Sequence, residues 1–233
     1  VLFGFFFQLR VADEHKDNAE DAKYRPERPV PRGLVTLKEL RGVAIAVAVL
    51  QVGLTVLLDW TLSVLLLAVW GWLAIMTKEF FVPEWLKKRP LIYMVSHMAI
   101  MPLIDLYATA CDWIPAGGLE GHEGFALTLG GFLLLSLVNG TQLEIARKSW
   151  GPEQEREGVE TYSKLWGAGV AGTAVMAVVL AGLATSAFVN VRSGAPVWCL
   201  LGLLLVSAWA AWSAIDYAGT PTEKTAKRME MSA

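Results

Sequence analysis

Three aspartates, Asp13, Asp17 and Asp21, recur at four-residue spacing directly after an apolar run, VLFGFFFQ. On an α-helix each is turned about 40° from the last, so the three share a face. Like charges at that spacing repel by about 0.2–0.5 kcal/mol per pair. A bound cation would offset the repulsion. The following stretch, YRPERPVPRG, sets Arg25, Arg28 and Arg32 among Pro26, Pro29 and Pro31. Carboxylates beside arginines suit a metal-bound phosphate, because magnesium is commonly held by one or two carboxylates plus substrate phosphates. Guanidinium groups bind the same oxygens in pairs. The alternative, from spacing alone, is a solvated helix end whose acids are partly balanced by Lys16 and Lys23.

The elements that must position these residues are membrane helices. A chain of 233 residues with 55% hydrophobic content, ten tryptophans, mean hydropathy of +0.45 and only 18% charge does not describe a soluble domain around one core. Runs long enough to cross a bilayer, about 20 residues as helix, fall near 42–58, 60–77, 91–114, 125–143, 165–189 and 196–215. The expected fold is all-α, a polytopic transmembrane bundle of six full spans plus a partial N-terminal helix. A single helical domain over 1–218 is expected, followed by a polar, mobile tail over 219–233. The opening stretch is shorter than a span and reads as the end of a helix that begins upstream. It has no charged leader followed by a small-residue cleavage site and is not read as a signal peptide.

Basic residues give the topology. Eight Lys and Arg lie in residues 10–41, four in 78–89, four in 147–164 and three after 220, with only Arg192 elsewhere. Nineteen of twenty therefore fall on one side, which the positive-inside rule makes cytoplasmic. The link near Asp59, the loop PAGGLEGHEG and the link around Arg192 then face outward. Pro102 is expected to kink its span or to accompany a packing irregularity there. Gly-rich 167–174 offers small residues for close packing.

Two ionisable residues sit inside a span, His97 and Asp105 in YMVSHMAIMPLIDLYATA. A charge at mid-bilayer costs at least about 2.5–3.5 kcal/mol, so such residues face a cavity or a partner. Reception of an acceptor, or of its proton, is one reading, and a polar contact with a neighbouring helix is the other. Cys111 and Cys199 have no CxxC or His neighbour and read as small buried hydrophobes.

The stretch DEHKDNAED with YRPERPVPRG resembles the first aspartate-rich motif of the UbiA superfamily of intramembrane prenyltransferases, NDxxDxxxD followed by PxRPxxxG. Asp13 stands at that family's Asn, Glu14 at its first Asp, and Asp17 and Asp21 at the other two; Pro26, Arg28, Pro29 and Gly33 match the loop. GVETYSKLWG at 158–167 is similar to the pattern that closes the family's second acidic motif. The DxxxD spacing is absent there, and Glu144, Glu153, Glu155 and Glu157 are the available acids.

The resemblance implies transfer of a prenyl group from a prenyl diphosphate to an aromatic or other lipophilic acceptor, with magnesium as cofactor and membrane lipid as surroundings. It implies metal binding by Asp13, Asp17, Asp21 and Glu144, and diphosphate contacts from Arg28, Lys78, Arg147 and Lys148. Lys88 is the other lysine in the loop that carries Lys78, and His97 and Asp105 are the acceptor-side candidates. A terpene cyclase of the same superfamily is a second enzymatic reading, and an ion-coupled transporter is the reading from another class. The DGxxAR pattern of CDP-alcohol phosphotransferases is absent, and nothing points to nucleic acid.

Overall fold

The computed structural model describes residues 1–118 and 124–233; the middle of the loop PAGGLEGHEG lies outside them. Among the described residues all regular structure is helical. The chain divides into two compact units, Val1–Gly121 and His122–Ala233. The first holds α1 (Leu2–Lys16), α2 (Asn18–Tyr24), α3 (Leu37–Leu58), α4 (Ser63–Thr77), α5 (Pro83–Lys87), α6 (Pro90–Met98) and α7 (Ile100–Trp113). The second holds α8 (Phe125–Arg147), α9 (Tyr162–Trp166), α10 (Ala168–Arg192), α11 (Val197–Gly219) and α12 (Glu223–Ser232).

The six expected spans are present as helices long and apolar enough to cross a membrane: Leu37–Leu58, Trp60–Thr77, Pro90–Trp113, Phe125–Arg147, Ala168–Arg192 and Val197–Gly219. Their outer faces carry large apolar side chains, with Leu57 84% and Leu205 73% exposed. Acyl chains are the solvent that suits such surfaces. The chain is an integral membrane protein.

Pro102 acts as expected, but the break falls upstream of it. A proline ring collides with the carbonyl four residues back and supplies no N–H to it. That carbonyl belongs to Met98, where α6 ends; α7 begins at Ile100 and carries Pro102 in its first turn.

In the first unit Phe5, Leu62, Leu66, Val69, Ile100, Ile104 and Tyr107 form the core. Phe5 meets Tyr107 edge-on at 5.3 Å. The Tyr107 hydroxyl and Thr55 Oγ1 lie 2.6 Å apart. A second polar contact joins three helices: Gln8 Nε2 donates to Gln51 Oε1 at 2.8 Å, and Trp70 Nε1 donates to Gln8 Oε1 at 3.0 Å. In lipid such bonds hold helices together where apolar contact alone gives little preference over acyl chains. They tie α1 to α3 and α4, which matters because α1 carries the acids. Thr36 starts α3 with a capping box, accepting from the Glu39 N–H while Glu39 accepts from its own.

In the second unit α10 and α11 pack closely through Gly172. A Cβ there would lie 2.7 Å from the Ala214 carbonyl oxygen and 2.8 Å from Ala218 Cβ. The C-terminal stretch, expected to be a mobile tail, is helical from Glu223 to Ser232. Thr222 caps it, Met229 and Ala226 are buried, and Arg228 pairs with Asp216 at 2.7 Å. Its buried apolar residues, Ala226 and Met229, lie about one helical turn apart and give it a docking face, while Met231 is exposed.

Replacement of Gly172 by alanine should overpack this crossing and destabilise the fold by about 1–3 kcal/mol. Gly202, whose Cβ would meet open space, should tolerate alanine with no loss. Thermal unfolding of the two variants in detergent checks the difference.

Candidate functional site

The acid-bearing segment runs through α1 and α2 with an offset at Asp17, which ends one helix and starts the next. Backbone bonds carry across it: Asp17 N–H donates to the Asp13 carbonyl at 2.8 Å, and Asp21 N–H to the Asp17 carbonyl at 2.8 Å. The acids do not share one environment. Asp13 is exposed, Asp17 is half-buried, and Glu14 and Asp21 are buried, at 5% and 1% exposure. The inward face is therefore Glu14, Asp17 and Asp21, spaced by three and four residues. Over seven residues a helix returns to within about 20° of its start, whereas two steps of four drift by about 80°. The spacing that favours Glu14 over Asp13 is legible in the sequence; the four-residue ladder hid it.

Each inward carboxylate at the ends of this set has a guanidinium partner. Arg10 pairs with Glu14. Asp21 receives two, Arg28 on Oδ2 and Arg25 on Oδ1, the latter at 3.4 Å. The proline-rich loop thus folds back on the acids, and its last motif residue, Gly33, makes the turn with φ of 77°, where a side chain would be strained. The Gly33 N–H donates to Val30 and the Leu34 N–H to Pro29, both at 3.0 Å.

A second polar knot in the same unit was not anticipated. Glu79, Phe80 and Phe81 all have positive φ, of 50°, 52° and 61°. This left-handed turn follows α4 and costs about 1–3 kcal/mol per residue. It delivers the Glu79 carboxylate to three partners. Lys16, the last residue of α1, pairs with it. Tyr93 donates its hydroxyl to Glu79 Oε1 at 3.1 Å and accepts from Lys16 at 3.1 Å. His97 Nε2 lies 3.6 Å from Glu79 Oε2. Burial works against the charge on Lys16, but its bonds to Glu79 and Tyr93 outweigh that and hold the ammonium well above the ordinary lysine range. His97 stacks on Tyr93 at 4.1 Å, and its Nδ1 donates to the Tyr93 carbonyl at 2.8 Å.

His97 is thus built into this knot on α6, whereas Asp105 lies half-buried beyond the break, on α7. The angle of a continuous helix does not relate them. Lys78 and Lys88 are both exposed, Lys78 opening the left-handed turn and Lys88 ending α5.

In the second unit the acids after α8 are each engaged. Glu144 is buried and accepts from Arg147 at 2.5 Å and Lys148 at 2.8 Å. Glu155 accepts from the Thr161 hydroxyl at 2.7 Å and the Ser163 hydroxyl at 2.6 Å, closing the loop before α9. Glu153 accepts from the Glu223 N–H at the start of α12, which holds its carboxyl below the usual range. Glu157 is exposed. The closing motif ends at Gly167, again with positive φ, 83°, so both motif loops finish on a left-handed glycine.

No group of three or more His, Cys, Asp or Glu residues able to hold a metal occurs among the described residues. The donor chemistry of Glu14, Asp17 and Asp21 nevertheless fits magnesium arriving with a phosphate, which needs only one or two carboxylates from the protein.

The family model of the UbiA prenyltransferases matches residues 2–233. The chain belongs to this family, and is in general terms a membrane prenyltransferase. No curated protein and no solved structure matches it.

Arg28→Ala should leave Asp21 buried with only its longer Arg25 contact. Complete loss of a partner from a buried pair costs about 3–5 kcal/mol, so a smaller fall is expected because Arg25 remains. The measurement is the unfolding midpoint in detergent.

Proposed function

We propose that this protein transfers a prenyl group from a prenyl diphosphate to a lipophilic acceptor, with magnesium, through groups on the cytoplasmic side. The observation that carries the reading is the inward acid face of α1 and α2 with two arginines folded onto Asp21, in a chain of this family. Asp17, with either Asp21 or Glu14, would hold the magnesium, which supplies neutralisation of the departing diphosphate.

The chain's own groups do the remaining work by exchanging partners. Asp21 pairs with Arg25 and Arg28 before substrate arrives; as its charge is taken up, both guanidinium groups turn to the diphosphate oxygens. Each buried charge stays compensated, and fixed donors meet the negative charge that grows on the leaving group. Lys78, exposed at the turn, adds a further cation. The allylic cation left behind is caught by the acceptor's nucleophile, whose proton passes to Asp105, half-buried on α7 and the proposed acceptor-side residue, while His97 serves the Glu79 knot. In the second unit the pairing of Glu144 with Arg147 and Lys148 leaves that carboxylate compensated without a metal.

Asp13, exposed, stands outside the inward set. Radiolabelled prenyl diphosphate turnover in detergent should depend on added magnesium and stop with chelator. Asp17→Ala should lower it by about 100-fold or more, and Glu14→Ala should lower it more than Asp13→Ala. Equal turnover by wild type with and without chelator would end the proposal.

A further inference from the structure

We infer that Glu79 is a positioning residue for the acid-bearing helix, locking the end of α1 to the turn that carries Lys78; the inference rests on the function proposed above. Lys16 lies between Glu14 and Asp17 in sequence and is the residue that Glu79 grips. Fixing Lys16 fixes the rotation of the helix end, and hence which way Glu14 and Asp17 face. On a helix each residue advances about 100°, so a twist of that order would put Asp13 in the place of Glu14, and a smaller one would already misaim Glu14 and Asp17.

The cost of this arrangement is the argument for it. Three successive left-handed residues without glycine are strained, and packing does not explain all three: Phe81 is 74% exposed. Phe80 does pack, edge-on to Trp72 at 5.4 Å and to His97 at 5.8 Å. What the turn achieves beyond that is the delivery of a carboxylate, 12% exposed, to an ammonium, a phenol and an imidazole at once. A buried ion pair is weak evidence for stability alone, since desolvation consumes most of its attraction. Its distinctive product is a fixed geometry between segments distant in sequence, here residue 16, residue 79 and residues 93–97.

The test uses the full chain in detergent and compares wild type, Glu79→Gln and the milder Tyr93→Phe, which removes only the hydroxyl between Lys16 and Glu79. Amide hydrogen exchange over residues 14–24 should quicken about tenfold in Glu79→Gln, and less in Tyr93→Phe, with α10 unchanged. The dissociation constant for inorganic pyrophosphate with magnesium should rise about tenfold, as should KM for prenyl diphosphate, while KM for the acceptor stays put. Unchanged exchange over 14–24 overturns the inference, as does unchanged pyrophosphate affinity with only a lower unfolding temperature. A wild type that turns over no prenyl diphosphate removes the proposed function alone, because the exchange comparison still decides whether Glu79 holds the helix end.

Discussion

A carboxylate buried at the edge of an apolar layer must be compensated, here most often by positive charge, and this constraint organises both units. The Coulomb attraction between close charges grows as the local dielectric falls, but so does the penalty for leaving either unpaired. Glu14 with Arg10, Asp21 with Arg25 and Arg28, Glu79 with Lys16, Glu144 with Arg147 and Lys148, and Asp216 with Arg228 all obey it. The partners come from short-range helix neighbours in some cases and from distant segments in others. Where the partner is distant, the pair also fixes the fold.

The left-handed turn at 79–81 shows the constraint overriding local preference. Glutamate and phenylalanine do not favour positive φ, and a sequence pattern has no glycine or asparagine there to announce it. The turn exists because Lys16, Tyr93 and His97 together reward the carboxylate it delivers. Strain of this kind persists only when surrounding contacts over-determine it. The proline-rich loop reaches the same end without strain, since Gly33 takes its positive φ at no steric cost and the prolines set φ elsewhere.

What the sequence made legible follows from which signals are local. The six spans depend on runs of apolar residues, so their existence was readable and their ends moved by only a few residues. The break near Pro102 was readable too, because a proline acts on a carbonyl four residues away. The acid segment was found, but its inward face was set by Glu14, whose partner spacing of three and four residues was overlooked beside the regular aspartates. The Glu79 knot joins residues 16, 79, 93 and 97, and no local pattern encodes such a meeting. Helix α12 escaped because a mostly polar stretch of ten residues holds just enough apolar surface, at Ala226 and Met229, to dock.

The basic residues serve two ends at once. Nineteen of twenty Lys and Arg lie in segments that the positive-inside rule assigns to one side, which treats them as a topology signal. Yet Arg10, Lys16, Arg25, Arg28, Arg147, Lys148 and Arg228 are the counter-charges of acids on these or adjoining segments. Topology and site chemistry therefore draw on one set of cations. A segment that carries buried carboxylates needs lysine or arginine nearby, and part of the asymmetry that orients the helices meets that need. The buried acids are thus held by nearby cations, and a ligand that drew those cations away would leave carboxylates in need of another positive charge.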